Sequence, residues 1–232
     1  MCLTRFVLSM PQVWELNLEL SISRRIVQAT DTVRNAGYDV YQPHCAEDVL
    51  DLVRRTGRKY QTPMLSVARN DFTDAEAIWL FLMHGDKVIG GFASKTVDLR
   101  NESFEDYMRR TSKHQYNRNE DPIERVSPVM NKMIYGRHAY LGELELHESY
   151  RGKRSVVSAF AKIVMGITFL RWPEINCAYA FIAEHHRRLT YDYGFCCSML
   201  NPITWKDPVP DGRRSDHTLA LITRDQFFDE WR

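Results

Sequence analysis

The stretch that decides the fold is Leu144-Glu145-Leu146-His147-Glu148-Ser149-Tyr150-Arg151-Gly152-Lys153-Arg154. Alternating apolar and charged residues end in a short polar turn carrying Arg151-Gly152, and an apolar helix follows from Lys153 to Trp172, stopped by Pro173. The N–H groups of a helix's first turn have no partner inside the helix. They face the turn, with the positive end of the helix dipole behind them. Strand, turn and helix in this order make a pocket for an anionic group such as a phosphate. The rest of a phosphorylated ligand would then lie along the strand.

Working outward, Ala139 to His147 reads as the strand before the turn, and Cys177 to Ala183 as an apolar strand after the helix. Glu184 to Tyr193 reads as a short helix closed by Gly194, Phe195 to Leu200 and His217 to Thr223 as strands, and Asp225 to Arg232 as a last helical turn or two. Upstream, Ala77 to Met83 and Lys87 to Ser94 flank His84-Gly85-Asp86, which is hairpin chemistry. Gly90 and Gly91 in the second run predict a bulge or a close backbone approach. Tyr38 to Tyr41 reads as a strand, and Ala46 to Arg58 as a helix through Val49, Leu50, Leu52 and Val53. At the N-terminus, Trp14, Leu16, Leu18, Leu20 and Ile22 alternate with Glu15, Asn17, Glu19 and Ser21, a period of two that predicts a strand before a helix over Ser23 to Asn35. Val97 to Gly136 breaks the pattern: it is rich in charge, Asn, Ser and Arg, holds Pro122 and Pro128, and has one helical stretch over Ser103 to Arg110. A connection of that length is expected to be a functional lid or partly mobile. The sum is an α/β class with a mixed sheet.

Composition narrows the function. The 232 residues suit one generous domain, and 44% hydrophobic content is enough for a buried core. With 31 basic against 30 acidic residues, no strong field points to nucleic acid or an anionic membrane. Cys2, Cys45, Cys177, Cys196 and Cys197 form no C-x-x-C pair and no even framework, so they are read as reduced, mostly buried thiols of a cytoplasmic protein. His185 and His186 are adjacent and point to different helix faces, so no metal is expected there. The N-terminus lacks a signal-peptide pattern, and the longest apolar run, Val156 to Leu170, is too short to span a bilayer and contains Lys162. The added N-terminal strand offers an edge for a homodimer.

The order of elements resembles the GCN5-related N-acetyltransferase (GNAT) superfamily over roughly Tyr38 to Thr223. Tyr38 to Val53 is similar to that family's opening strand and helix, and Ala77 to Ser94 to its second and third strands. Leu144 to Lys153 resembles its acetyl-CoA signature, and Leu189-Thr-Tyr-Asp-Tyr-Gly-Phe195 its closing Tyr-x-x-x-Gly-Phe element. The resemblance implies residues 38–232 as the acetyltransferase domain, with 97–136 as an insertion before the fourth core strand and 1–37 as a strand–helix extension. It implies a mostly antiparallel twisted sheet flanked by helices. Arg154 and Val156 stand where the family carries small residues, and Thr190 stands where it carries its tyrosine.

The resemblance also implies a site. Arg151, Gly152, Lys153, Arg154, Ser155 and Val156 would cradle the CoA pyrophosphate. Backbone at Leu144 and Leu146 would bind pantetheine. Glu143 or Glu145, on one face of the strand, would be the base, and Tyr191, with Tyr193 as a weaker candidate, would protonate the leaving thiolate. The implied function is acetyl transfer from acetyl-CoA, as co-substrate, to a primary amine of a small molecule or protein by direct attack. The alternatives are a non-catalytic binding module acting through 97–136, or another CoA- or acyl-carrier-dependent acyltransferase of the same fold.

Overall fold

The computed structural model describes residues 10–58, 61–73, 75–116, 119–150 and 152–231. Nine strands are β1 Asp39–Tyr41, β2 Ala77–His84, β3 Lys87–Asp98, β4 Ile123–Val126, β5 Arg137–Leu146, β6 Cys177–Ala183, β7 Cys197–Leu200, β8 Ile203–Trp205 and β9 His217–Thr223. Six helices are α1 Met10–Asn35, α2 Ala46–Arg55, α3 Phe104–Gln115, α4 Met130–Met133, α5 Arg154–Arg171 and α6 Arg224–Trp231. Seven strands form one sheet in the order β1-β2-β3-β5-β6-β9-β7, and β4 pairs with β8 in a separate two-stranded sheet. Every pairing is antiparallel except β5–β6. A parallel neighbour needs a crossover, which α5 provides.

Strand alternation sends side chains to opposite faces. On one face, Ile78, Leu80, Phe92, Ala139, Leu141, Ala178 and Ile222 pack under α1, α5 and α6, through Ile22, Val33, Phe160, Val164, Phe169 and Phe227. Phe169 and Phe227 stack at 3.9 Å. On the other face, Ala93, Tyr140, Cys177, Tyr179, Leu219 and Leu221 meet Phe104, Tyr107, Met108, Ile123, Met130 and Trp205. The run read as the long apolar helix is α5, and among the described residues no helix is long and apolar enough to cross a membrane.

The expected N-terminal strand is not one. Trp14 to Ile22 belongs to the single helix α1. The period-two alternation there coincides with a second pattern that wins: Leu18, Ile22, Ile26, Ala29 and Val33 recur every three or four residues and form the stripe turned to the sheet. Leu16 and Leu20, in phase with Ile22 for a strand, are 49% and 46% exposed. Without that strand, the edge proposed for a homodimer is gone.

The Val97 to Gly136 connection is ordered and packed where it is described. Its described part carries β4, α3 and α4 and fills the second core, with Phe104, Met108, Ile123, Met130 and Ile134 at most 1% exposed. Ser103 caps α3, its side chain accepting from the Asp106 N–H at 3.1 Å. Between β7 and β9 the strand β8 is only the three residues that β4 pairs with, too short to show a period of its own.

Two outcomes follow. Ile22→Ala costs about 2–5 kcal/mol in urea unfolding whereas Leu20→Ala changes stability by less than about 0.5 kcal/mol; equal losses would put both on one strand face. His138 is fully buried among Phe104, Tyr107 and Tyr179, and burial pushes its pKa down to about 4 from 6.5. The unfolded chain therefore takes up the proton first. His138 withdraws on the order of 3 kcal/mol of stability as pH falls from about 6.5 to about 4, a loss that His138→Gln lacks in paired urea melts.

Candidate active site

β5 and β6 pair only at His138–Tyr140 with Cys177–Tyr179. Beyond Tyr140 the two strands part. β5 stays on β3 as far as Leu146, while β6 continues only with β9 as far as Ala183. Beyond Tyr140, β5 therefore turns an edge to a gap instead of to a neighbouring strand, with Arg58 reaching the Glu143 backbone oxygen. Unpaired edge groups bind a ligand's amides as a strand would. Leu144 and Leu146 pack their side chains against the α5-side core.

A bulge interrupts the β3–β5 register between Gly91 and Ala93, and Glu143 sits there at φ +67°. A non-glycine residue in this region is held by its surroundings. Arg58 donates to the Glu143 carboxylate at 2.7 Å and to its backbone oxygen, and the Thr62 N–H donates to the same carboxylate. The Arg58 and Glu143 side chains are 6% and 5% exposed. Arg58 Nε also lies 3.1 Å from Glu145, whose side chain is 59% exposed. Both glutamates thus converge on Arg58. Glu143 is enclosed as an anchor for Arg58 and Thr62, and Glu145 keeps solvent access. Nearby, a Cβ on Gly142 would lie 2.9 Å from Leu65 Cδ1 and 3.2 Å from the Tyr140 hydroxyl, so the segment 63–65 settles directly on β5.

The turn at the end of β5 leads into α5. Arg151, expected to help hold the phosphate, lies outside the described residues. Gly152 adopts φ +89°, and a Cβ there would meet nothing within 4 Å, so glycine serves the backbone conformation and not a contact. The Arg154 N–H bonds the Gly152 oxygen, and those of Val156 and Val157 bond the Lys153 oxygen. The N–H groups of Lys153 and Ser155 make no backbone hydrogen bond among the described residues. Val156 points into the core, 3% exposed, so its bulk does not narrow the turn. Arg154 is directed away, bidentate to Asp192 at 2.8 and 2.7 Å, and ties the turn after β6 to the start of α5. Lys153 Nζ lies 4.9 Å over the Tyr38 ring, and Lys87 Nζ 5.2 Å over the Tyr150 ring. Tyr38, His84 and Tyr150 cluster within 5.4–6.1 Å. Sequence reading did not find this basic and aromatic wall, because its members come from three distant segments.

Of the closing element, Gly194 takes φ +88° and Phe195 is buried. Thr190 is spent on the turn, its hydroxyl donating to the Arg187 oxygen at 2.7 Å. Tyr191 is 71% exposed, whereas Tyr193 packs against the core and burial raises its pKa. Cys177 is buried with its thiol pushed up to about 12 by desolvation, which leaves it unreactive at neutral pH; Cys45 is exposed, so the thiols are not mostly buried as composition implied. Among the described residues no group of His, Cys, Asp or Glu could hold a metal ion.

Removing one partner of a buried ion pair strands the other. Arg58→Ala is expected to cost about 3–5 kcal/mol in chemical unfolding, with Glu145→Gln, at an exposed site, changing stability by less than about 1 kcal/mol.

The sequence matches no family model and no curated protein. Solved structures align over most of their length. The N-acyl amino acid synthase FeeM from uncultured soil microbes is 10% identical, with 82% of this chain and 92% of that chain covered at a TM-score of 0.48. NAA60 of Arabidopsis thaliana in complex with a bisubstrate analogue is 16% identical, covering 80% and 97% at 0.46. The spermidine/spermine N-acetyltransferase SpeG of Vibrio cholerae is 11% identical, covering 84% and 98% at 0.47. The likeness is one of fold. In its strand order and its single parallel pair among the described residues, the chain has the mixed, mostly antiparallel α/β fold flanked by helices that the order of elements implied.

Proposed function

We propose that the protein transfers an acetyl group from acetyl-CoA to a primary amine by direct attack in a ternary complex. One observation carries this reading: the stretch of β5 that has parted from β6 runs straight into the glycine turn at the start of α5. The edge suits the amides of pantetheine. The turn, with the N–H groups of Lys153 and Ser155 and the dipole of an 18-residue helix behind it, suits a pyrophosphate. Gly152 leaves the approach open, and Lys153 and Lys87 add positive charge beside it.

The amine acceptor approaches from the face that holds Glu143 and Glu145. Of the two, Glu145 is assigned as the base, because Glu143 is enclosed by Arg58 and Thr62. Glu145 takes a proton from the attacking ammonium, directly or through water. The nitrogen forms its bond to the thioester carbon, and strand backbone polarises the carbonyl oxygen. The C–S bond breaks, and Tyr191 is assigned to give the departing thiolate its proton.

Calorimetry with acetyl-CoA tests the first claim: binding is expected, and Gly152→Val weakens it about tenfold or more, or about 1.4 kcal/mol. Absence of binding at millimolar ligand would sink it. With an amine acceptor, Glu145→Gln lowers kcat by about 10²–10⁴ while acetyl-CoA affinity holds, and Tyr191→Phe lowers kcat alone.

A further inference from the structure

On the face of the sheet away from α5, two cations are buried without an anion. Lys95 on β3 is 5% exposed and Arg213, in the loop before β9, is 6% exposed. Among the described residues neither comes within ion-pair distance of a carboxylate. Among the described residues the Lys95 ammonium makes no hydrogen bond, and it lies over the rings of Phe72 (5.7 Å) and Tyr107 (5.9 Å). Arg213 stacks over Trp205 (5.2 Å) and Tyr116 (5.9 Å) and donates from Nε to the Tyr116 hydroxyl at 2.8 Å. One of its terminal nitrogens is left without a partner. Glu76, the carboxylate whose charge reaches Lys95, is exposed and held by Thr73.

Around the two cations, further polar atoms are buried and unpartnered: the hydroxyls of Tyr107 and Tyr179 and Oε1 of Gln115. Register places them together. Lys95 pairs with Tyr140 across β3–β5, Tyr140 with Tyr179 across β5–β6, and the two tyrosine rings are 5.3 Å apart. Burial keeps the hydroxyls of Tyr107, Tyr140 and Tyr179 protonated, with pKa values raised in all three. A protonated hydroxyl remains a donor. A cavity of about 450 Å³ lined by Arg69, Asn70, Asp71, His114, Gln115 and Tyr116 opens beside the cluster and shares Gln115 and Tyr116 with it.

Two neighbouring buried cations bear a desolvation penalty each and repel one another. Hydroxyl donors with nothing to donate to add to the cost. All of these penalties are relieved by a single ligand that is negative and accepts several hydrogen bonds. We infer that Lys95 and Arg213, with the hydroxyls of Tyr107 and Tyr179, bind an oxyanion, a carboxylate or phosphate, carried by the amine acceptor. Tyr140 ends the paired part of β5 and β6, so the anion would sit one strand spacing from where the strands part. The acceptor is then an amino acid or a similar compound with amine and oxyanion close together. The assignment to the acceptor rests on the acetyltransferase reading; the anion site itself does not.

Thermal melts of the full chain at constant ionic strength separate these claims. Inorganic phosphate, and separately acetate, replace chloride, and glycine, a zwitterion, is added with the salt unchanged. At least one raises the melting temperature of the wild type, by several degrees at saturation. Phosphate and carboxylate arms show which oxyanion fits. Lys95→Met and Arg213→Gln each weaken that response at least tenfold in midpoint concentration. In turnover assays, an amino acid is acetylated with KM at least tenfold below that of its amide, and Arg213→Gln removes the difference. The site is overturned if no oxyanion shifts the wild-type melt, whatever the variants do; a more stable Lys95→Met protein would then show that the cluster merely holds water. An oxyanion response without acetyl-CoA binding keeps the site and rejects the transferase. Acetyl-CoA binding with equal KM for acid and amide keeps the transferase and rejects the acceptor assignment.

Discussion

The structure depends on a strand that keeps one neighbour and loses the other. β5 is held by β3 along nearly its whole length, yet touches β6 over three residues only. A buried sheet does not ordinarily abandon backbone hydrogen bonds, because each unpaired group bears a desolvation cost. Here the divergence is enforced from both sides. β6 is bound to β9 through all seven of its residues, and β5 is bent by the bulge at Glu143. That bulge is fixed by Arg58, which reaches the carboxylate and the backbone oxygen of the same residue. A buried ion pair does not by itself add much stability, but it defines one backbone geometry out of several. In this chain the geometry it defines is the gap.

The two faces of the sheet then acquire different characters. Under α1, α5 and α6 the core is aliphatic and aromatic, and its position aims the first turn of α5 at the end of the gap. Opposite, the segment 97–136 and the β4–β8 pair close over a face that contains His138, Lys95, Tyr140 and Tyr179. A purely structural cover would be more stable over apolar residues. The polar groups on this face are few, deep and incompletely bonded, which is the pattern of a surface shaped for something other than the chain itself.

Much of this was legible locally. The strand, glycine turn and apolar helix at Leu144 to Arg154 were readable because each element carries its own period and the turn its own glycine. The hairpin around His84-Gly85-Asp86 was readable for the same reason. The N-terminal alternation misled because Leu16 and Leu20 fit a strand, while the stripe from Leu18 to Val33 needs α5 beneath it to decide the period. Segment 97–136 read as irregular because its strand is four residues long and its apolar residues are spread over short elements. The roles of Arg154 and Val156 hung on direction: one side chain turns to Asp192 and the other into the core, and sequence carries no sign of either.

Sequence by itself determined the α/β class, the order of elements from β1 to β3 and from β5 to β7, and the place of the glycine turn before α5, because these follow from periodicity and turn chemistry within a few residues. Only the tertiary structure decided which glutamate is enclosed and which is open, that Arg58 stands 85 residues from the carboxylate it grips, and that Lys95 and Arg213 are buried within reach of each other's charge with no carboxylate at ion-pair distance among the described residues. The physical reason is that charge pairing and desolvation are set by distance in space. Neighbours across a sheet leave no trace in the spacing along the chain.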